Sequence, residues 1–276
     1  MPAAVEVEGI SLRFGGVQAL DDVSFGVQPG SIHALIGPNG AGKSSCFNVI
    51  CGVYRADRGR IRLGGRDVTG LRPHRLAALG LGRSFQNVAL SPHSSVLDNV
   101  MLARHCRTRG GFLAAGLRWP GMLSEQQRHR RRAVEICEFL GIERLLDSPV
   151  GALSYGDAKR VDIARALATE PGVLLLDEPA AGMNAGETAQ TADLIVALRS
   201  CLEIPVLLVE HDMTLVMGIA DRITVLDFGR VVADGTPAQI RNDPAVIRAY
   251  LGADPEADPE ADPEADPATG AGGIDL

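Results

Sequence analysis

The spacing of apolar residues changes character along the chain. From residue 5 to about 36, short β-rich runs such as VEVEGISLRF and DDVSFGV are separated by glycine and proline turns, which predicts a small antiparallel sheet. The stretch IHALIG then reads as a buried strand, followed by a glycine loop and an apolar helix beginning near Gly42. The strand-and-loop theme returns at VLLLDEP and PVLLVEHD, so the core is expected to be α/β with a largely parallel sheet.

Between about 97 and 170 the strand signal fades. The segment SEQQRHRRRAVEICEFLGI places Ala133, Ile136, Cys137 and Leu140 on one face at helical spacing, which predicts an α-helical subdomain inserted in the core. Residues 104–132 hold eight arginines against one acid, beside the apolar stretch GFLAAGLRWPGML. A solvated charged face is the simpler reading, and contact with lipid headgroups or a membrane partner the sharper one. The last part, ADPEADPEADPEADPATGAGG, repeats a tetrapeptide and lacks the residues that build a core, so 253–276 is expected to be a disordered acidic tail behind a domain spanning 1–252.

Composition adds limits. The net charge of −7 is carried by that tail, whose eight acids leave 26 acids against 27 Lys and Arg in the remainder. A near-neutral body argues against a dedicated nucleic-acid binder, which would show a basic surplus. Cys46, Cys51, Cys106, Cys137 and Cys201 form no metal-like spacing and read as reduced thiols. The N-terminus has no signal-peptide pattern, and nowhere do 18 apolar residues run together, so a role at a membrane would require other chains to span it.

The strongest chemical signal is GPNGAGKSS, Gly37 to Ser45, which matches G-x-x-x-x-G-K-[ST] between a predicted strand and a predicted helix. Average residue usage yields this pattern by chance in roughly one chain of this length in a hundred. Gly37, Pro38, Asn39, Gly40, Ala41 and Gly42 would wrap backbone N–H groups around phosphate oxygens. Lys43 would neutralise them, while Ser44, followed by Ser45, would offer a hydroxyl to magnesium. VLLLDEP ends a buried strand in two acids, where open α/β sheets bind ligands. Asp177 suits a magnesium ligand and Glu178 a base that polarises water.

With these motifs in order, residues 4 to 252 resemble the nucleotide-binding subunits of ABC transporters. The resemblance implies a P-loop NTPase (RecA-like) core with an N-terminal antiparallel β subdomain, ATP and Mg2+ as ligands, and ATPase activity. It assigns Gln86 of SFQN to magnesium and the attacking water, His211 of EHD to the γ-phosphate, and Phe14 of RFGG to stacking on adenine. It also makes LSYGDAKR the signature segment, whose Ser154 and Gly156 would contact the ATP held by a second ATPase subunit. Tyr155 and Asp157 depart from the common signature of a serine and two glycines followed by glutamine.

Asp157 admits two readings. A carboxylate about 7 Å from a phosphate would cost on the order of 2 kcal/mol per phosphate charge at an effective dielectric near 20. Alternatively, Ser154-x-x-Asp157 is a capping box in which the acid reaches back to the Ser154 backbone N–H and faces away from nucleotide; this reading is preferred.

RFGGVQALDDVSF, GLGRSFQNV, LDEPAAGMN, EHDMTLVMGIADRITVL, GTPAQIRNDPAVIRAYLG and the signature tyrosine look like the ATPases of branched-chain, or hydrophobic, amino-acid importers. Asn184 stands where many ABC ATPases have Asp. The resemblance implies two membrane permease subunits, a homologous or identical second ATPase, indirectly a solute-binding protein, and a peripheral place on the cytoplasmic side of the cell membrane. Urea or other small-solute import and lipid or lipopolysaccharide export are the nearest alternatives. A ribosome- or DNA-directed ABC protein and a P-loop kinase fit less well, lacking a second ATPase domain or coiled coil in the one case and needing no signature in the other.

Overall fold

The computed structural model describes residues 3–84, 90–104 and 120–251. Two sheets organise them. The first is antiparallel, with strands ordered β2 (Val17–Val27), β1 (Val5–Phe14), β4 (Arg58–Leu63) and β5 (Arg66–Asp67). The second runs β10 (Arg230–Gly235), β9 (Arg222–Asp227), β3 (Ile32–Ile36), β8 (Val206–Val209), β7 (Val173–Asp177) and β6 (Leu81–Arg83). It is parallel except for the β9–β10 hairpin.

The boundary between the sheets differs from the sequence expectation. Residues 5–27 form the antiparallel hairpin, short of the expected bound near 36, while β3, read as a buried strand of the α/β core, is a central strand of the parallel sheet. All five of its residues are buried, and only a strand covered on both faces can bury consecutive side chains. The antiparallel sheet is completed instead by residues 58–67, whose arginine-rich strands carry little hydrophobic signal.

Alternation along β7 and β8 shows how two cores are divided. Val173, Leu175, Leu207 and Val209 point toward Phe47 of α1 (Lys43–Ile50) and the antiparallel sheet. Leu174, Leu176, Val206 and Leu208 point the other way, into a core shared with α3 (Val96–Ala103), α4 (Pro120–Phe139), α5 (Tyr155–Ala168) and α6 (Ala185–Leu202). The predicted face of Ala133, Ile136, Cys137 and Leu140 is buried there. Arg104 ties these helices together: it donates to His129 Nδ1, to the Ala168 carbonyl and to Glu170 at 2.9, 3.1 and 3.0 Å. A third cluster lies under the short helices α7 (Met213–Ile219), α8 (Pro237–Arg241) and α9 (Pro244–Leu251), completing a set that includes α2 (Pro73–Ala78).

Candidate functional site

The glycine loop leaves the carboxyl end of β3 and enters α1 at Lys43. Gly37 has φ 148°, and a Cβ there would collide with the Leu226 carbonyl oxygen of β9. Gly42 caps the helix at φ 97°, where a Cβ would lie 2.6 Å from the Ala19 carbonyl oxygen. Both positions therefore require glycine, because the left-handed backbone and the close approach of a neighbouring strand exclude a side chain. The eight-residue α1 directs its N-terminal N–H groups toward the loop, an arrangement suited to anions.

Lys43 is buried in the loop and donates from Nζ to the carbonyls of Gly37 (2.7 Å) and Pro38 (2.9 Å). Burial holds its pKa below the usual lysine value, and the charge of Glu178 partly offsets this. Ser44 is exposed in the first helical turn.

Asp177 is the last residue of β7 and is 5% exposed. Burial raises its pKa above the ordinary carboxylate value, while Arg83 Nη2, 3.6 Å from Oδ2, opposes the shift. Arg83 also donates to Asn48 Oδ1 at 3.0 Å and lies 4.9 Å over the Phe47 ring. This arginine, which sequence reasoning did not single out, links β6, α1 and the strand-end acid. Glu178 follows at φ 48°, an uncommon backbone region for a residue with a side chain. Its N–H donates to the Val209 carbonyl at 2.8 Å, and its own carbonyl accepts from Lys159 Nζ at 3.3 Å.

His211 leaves the end of β8 next to this pair, since Asp177 is registered against Val209. Its side chain is 61% exposed. The preceding Glu210 is 1% exposed and was likewise not singled out from sequence. Its Oε1 accepts from the Ala180 N–H at 2.9 Å and its Oε2 from the His211 N–H at 3.1 Å.

The loop Gly37–Ser45, the acids Asp177 and Glu178, and His211 thus meet at the carboxyl ends of three adjacent parallel strands. Phe14 stands apart, at the end of β1 in the other sheet, 45% exposed and edge-on to Tyr54 at 5.1 Å. Gln86 lies outside the described residues, as does the acidic tail.

Ser154 and Gly156 open α5 and make contacts of their own. Ser154 Oγ accepts from the Asp157 N–H at 3.1 Å, as a cap does. The return bond differs from the one expected: Asp157 Oδ2 accepts from the Ser154 hydroxyl at 2.8 Å rather than from its backbone N–H. Asp157 Oδ1 lies 4.0 Å from Arg160. One hydrogen bond from the Ser154 hydroxyl and a looser ion pair with Arg160 engage the carboxylate within its own helix and cap. Tyr155 packs near Gly182, and Asn184 caps α6 in a reciprocal box with Glu187, both bonds 3.0 Å.

Among the described residues no group of three or more His, Cys, Asp and Glu assembles into a metal cage. The described oxygen donors that the sequence suggested for a metal are one hydroxyl, Ser44, and one strand-end carboxylate, Asp177. Such a set suits a hard ion that keeps water or phosphate oxygens, as magnesium does.

The comparisons with known proteins agree with this architecture. The ABC transporter family profile matches residues 20–181, and one described as branched-chain amino acid ATP-binding cassette transporter matches 230–256. The chain is 42% identical to the high-affinity branched-chain amino acid transport ATP-binding protein BraF of Pseudomonas aeruginosa, over 90% of this chain and 97% of that one. LivG of Escherichia coli K12, described in the same words, gives the same identity and coverage. The solved ADP conformation of MJ1267, an ATP-binding cassette of an ABC transporter, is 32% identical with a TM-score of 0.80, covering 91% of this chain and all of that one.

Proposed function

The chain belongs to the ABC transporter family, and on that premise we propose that it is the ATP-hydrolysing subunit of an importer for branched-chain amino acids. The observation that carries the reading is the convergence of the Gly37–Ser45 loop, Asp177, Glu178 and His211 at the carboxyl ends of three adjacent strands of the parallel sheet. The substrate class rests on similarity to BraF and LivG over nearly their whole lengths.

In this reading the backbone N–H groups of Gly37 to Ser45 and the Lys43 ammonium hold the phosphates of ATP. The carbonyl contacts of Lys43 keep its charge inside the loop. Ser44 and Asp177, with Gln86, hold magnesium, which when bound neutralises phosphate charge. Glu178 orients and polarises the attacking water, and His211 contacts the γ-phosphate. These groups act by position and charge, which dominate phosphoryl transfer. Phe14, exposed beside Tyr54, offers a face to adenine.

In the same reading Ser154 and Gly156, at the start of α5, serve nucleotide held by a second ATPase subunit. No helix among the described residues is long and apolar enough to cross a membrane. In this reading two permease subunits form the path, a solute-binding protein delivers the amino acid, and this chain works at the cytoplasmic face. Glu178→Gln provides the test: the variant binds ATP and loses most turnover. Turnover near the wild-type rate would overturn the assignment of Glu178.

A further inference from the structure

Glu210 is a buried carboxylate with no place in the functions above, and its two oxygens hold two different loops. Oε1 takes the N–H of Ala180, two residues beyond Glu178; Oε2 takes the N–H of His211. The residue before it, Val209, takes the N–H of Glu178 itself at 2.8 Å. The stretch from Glu178 to Ala180 is therefore pinned at both ends by the terminus of β8. Between those pins Glu178 keeps φ 48°, a conformation that persists only where its surroundings over-determine it.

We propose that Glu210 is a positioning residue that fixes Glu178 and His211 relative to each other, so that both face the γ-phosphate at once. The proposal rests on the ATPase reading of those two residues. Its chemistry is specific to a carboxylate. Only a side chain with two acceptor oxygens satisfies both N–H groups; an amide keeps one acceptor and turns its NH2 toward the other donor, and alanine keeps none. A small misplacement of catalytic groups costs rate more than affinity, since the phosphates are held by a different loop.

Steady-state ATPase assays of Glu210→Gln and Glu210→Ala test this, together with His211→Ala and the double variant Glu210→Gln/His211→Ala. The expected kcat order is wild type, Gln, Ala, with Glu210→Gln lower by about tenfold and KM for ATP within about threefold. In the double variant, Glu210→Gln costs less than it does alone, because alignment with the His211 side chain no longer matters. Should the alanine variant fail to fold, the glutamine variant and the cycle still decide the question.

An unchanged kcat in Glu210→Gln overturns the proposal. So does a loss expressed in KM alone, or a full multiplicative loss in the double variant. If Glu178→Gln and His211→Ala also leave turnover intact, the ATPase assignments themselves fail; if they abolish it while the Glu210 variants do not, only the positioning role fails.

Discussion

His33 provides a quantitative test of how the core beneath the loop is built. It is the second residue of β3, fully buried, with its ring centroid 5.4 Å from that of Phe25. Its Nε2–H donates to Thr224 Oγ1 at 2.7 Å, and Thr224 passes its own hydroxyl hydrogen to Asp234, which Arg222 also holds. Burial lowers the His33 pKa from 6.5 to about 4, with Asp234 opposing and Arg222 adding to the shift.

The unfolded chain thus binds a proton between pH 6.5 and 4 that the folded chain refuses, and stability falls as pH falls through that window. The difference amounts to about 2 kcal/mol between pH 7 and pH 5, and to about 3 kcal/mol once pH drops below 4. Urea denaturation of wild type and His33→Gln at both pH values isolates it, because glutamine keeps a donor for Thr224 but does not titrate. Wild type should lose about 2 kcal/mol more than the variant on going to pH 5. Equal losses, within about 0.5 kcal/mol, would refute the reasoning.

Two further substitutions probe the acids. Asp177→Asn should melt at a higher temperature than wild type at pH 7 without nucleotide or magnesium, while losing ATPase activity. The pKa of Asp177 is raised on folding, so its ionised form costs stability above that value; a lower melting temperature would contradict this. Asp157→Gln should change stability by about 1 kcal/mol or less and ATPase turnover by less than about tenfold, because the carboxylate serves Ser154 and Arg160 on its own helix. A larger gain in turnover, with stability unchanged, would show that the acid repels nucleotide.

What could be read from the sequence followed how local each feature is. The phosphate loop was legible because glycine, lysine and serine act within nine consecutive residues. Asp177 and Glu178 were legible because a buried strand announces its own end. Arg83 and Glu210 were not. Arg83 acquires meaning only when β6 pairs with β7 and brings it to Asp177, and Glu210 only when β8 sets it beside Ala180. The same limit hid the antiparallel partners at 58–67, whose alternating arginines resemble any solvated segment. At Asp157 the capping pair was legible, but not which donor the carboxylate would choose, because the Ser154 hydroxyl and backbone N–H are equally near in sequence.

The most direct test of the account is uptake of labelled leucine, isoleucine and valine, with urea alongside, in cells lacking this chain and complemented with wild type or Glu178→Gln. The account predicts that wild type restores amino-acid uptake and that Glu178→Gln, present at the same level, does not. Equal uptake with either protein, or restoration of urea uptake alone, would contradict it.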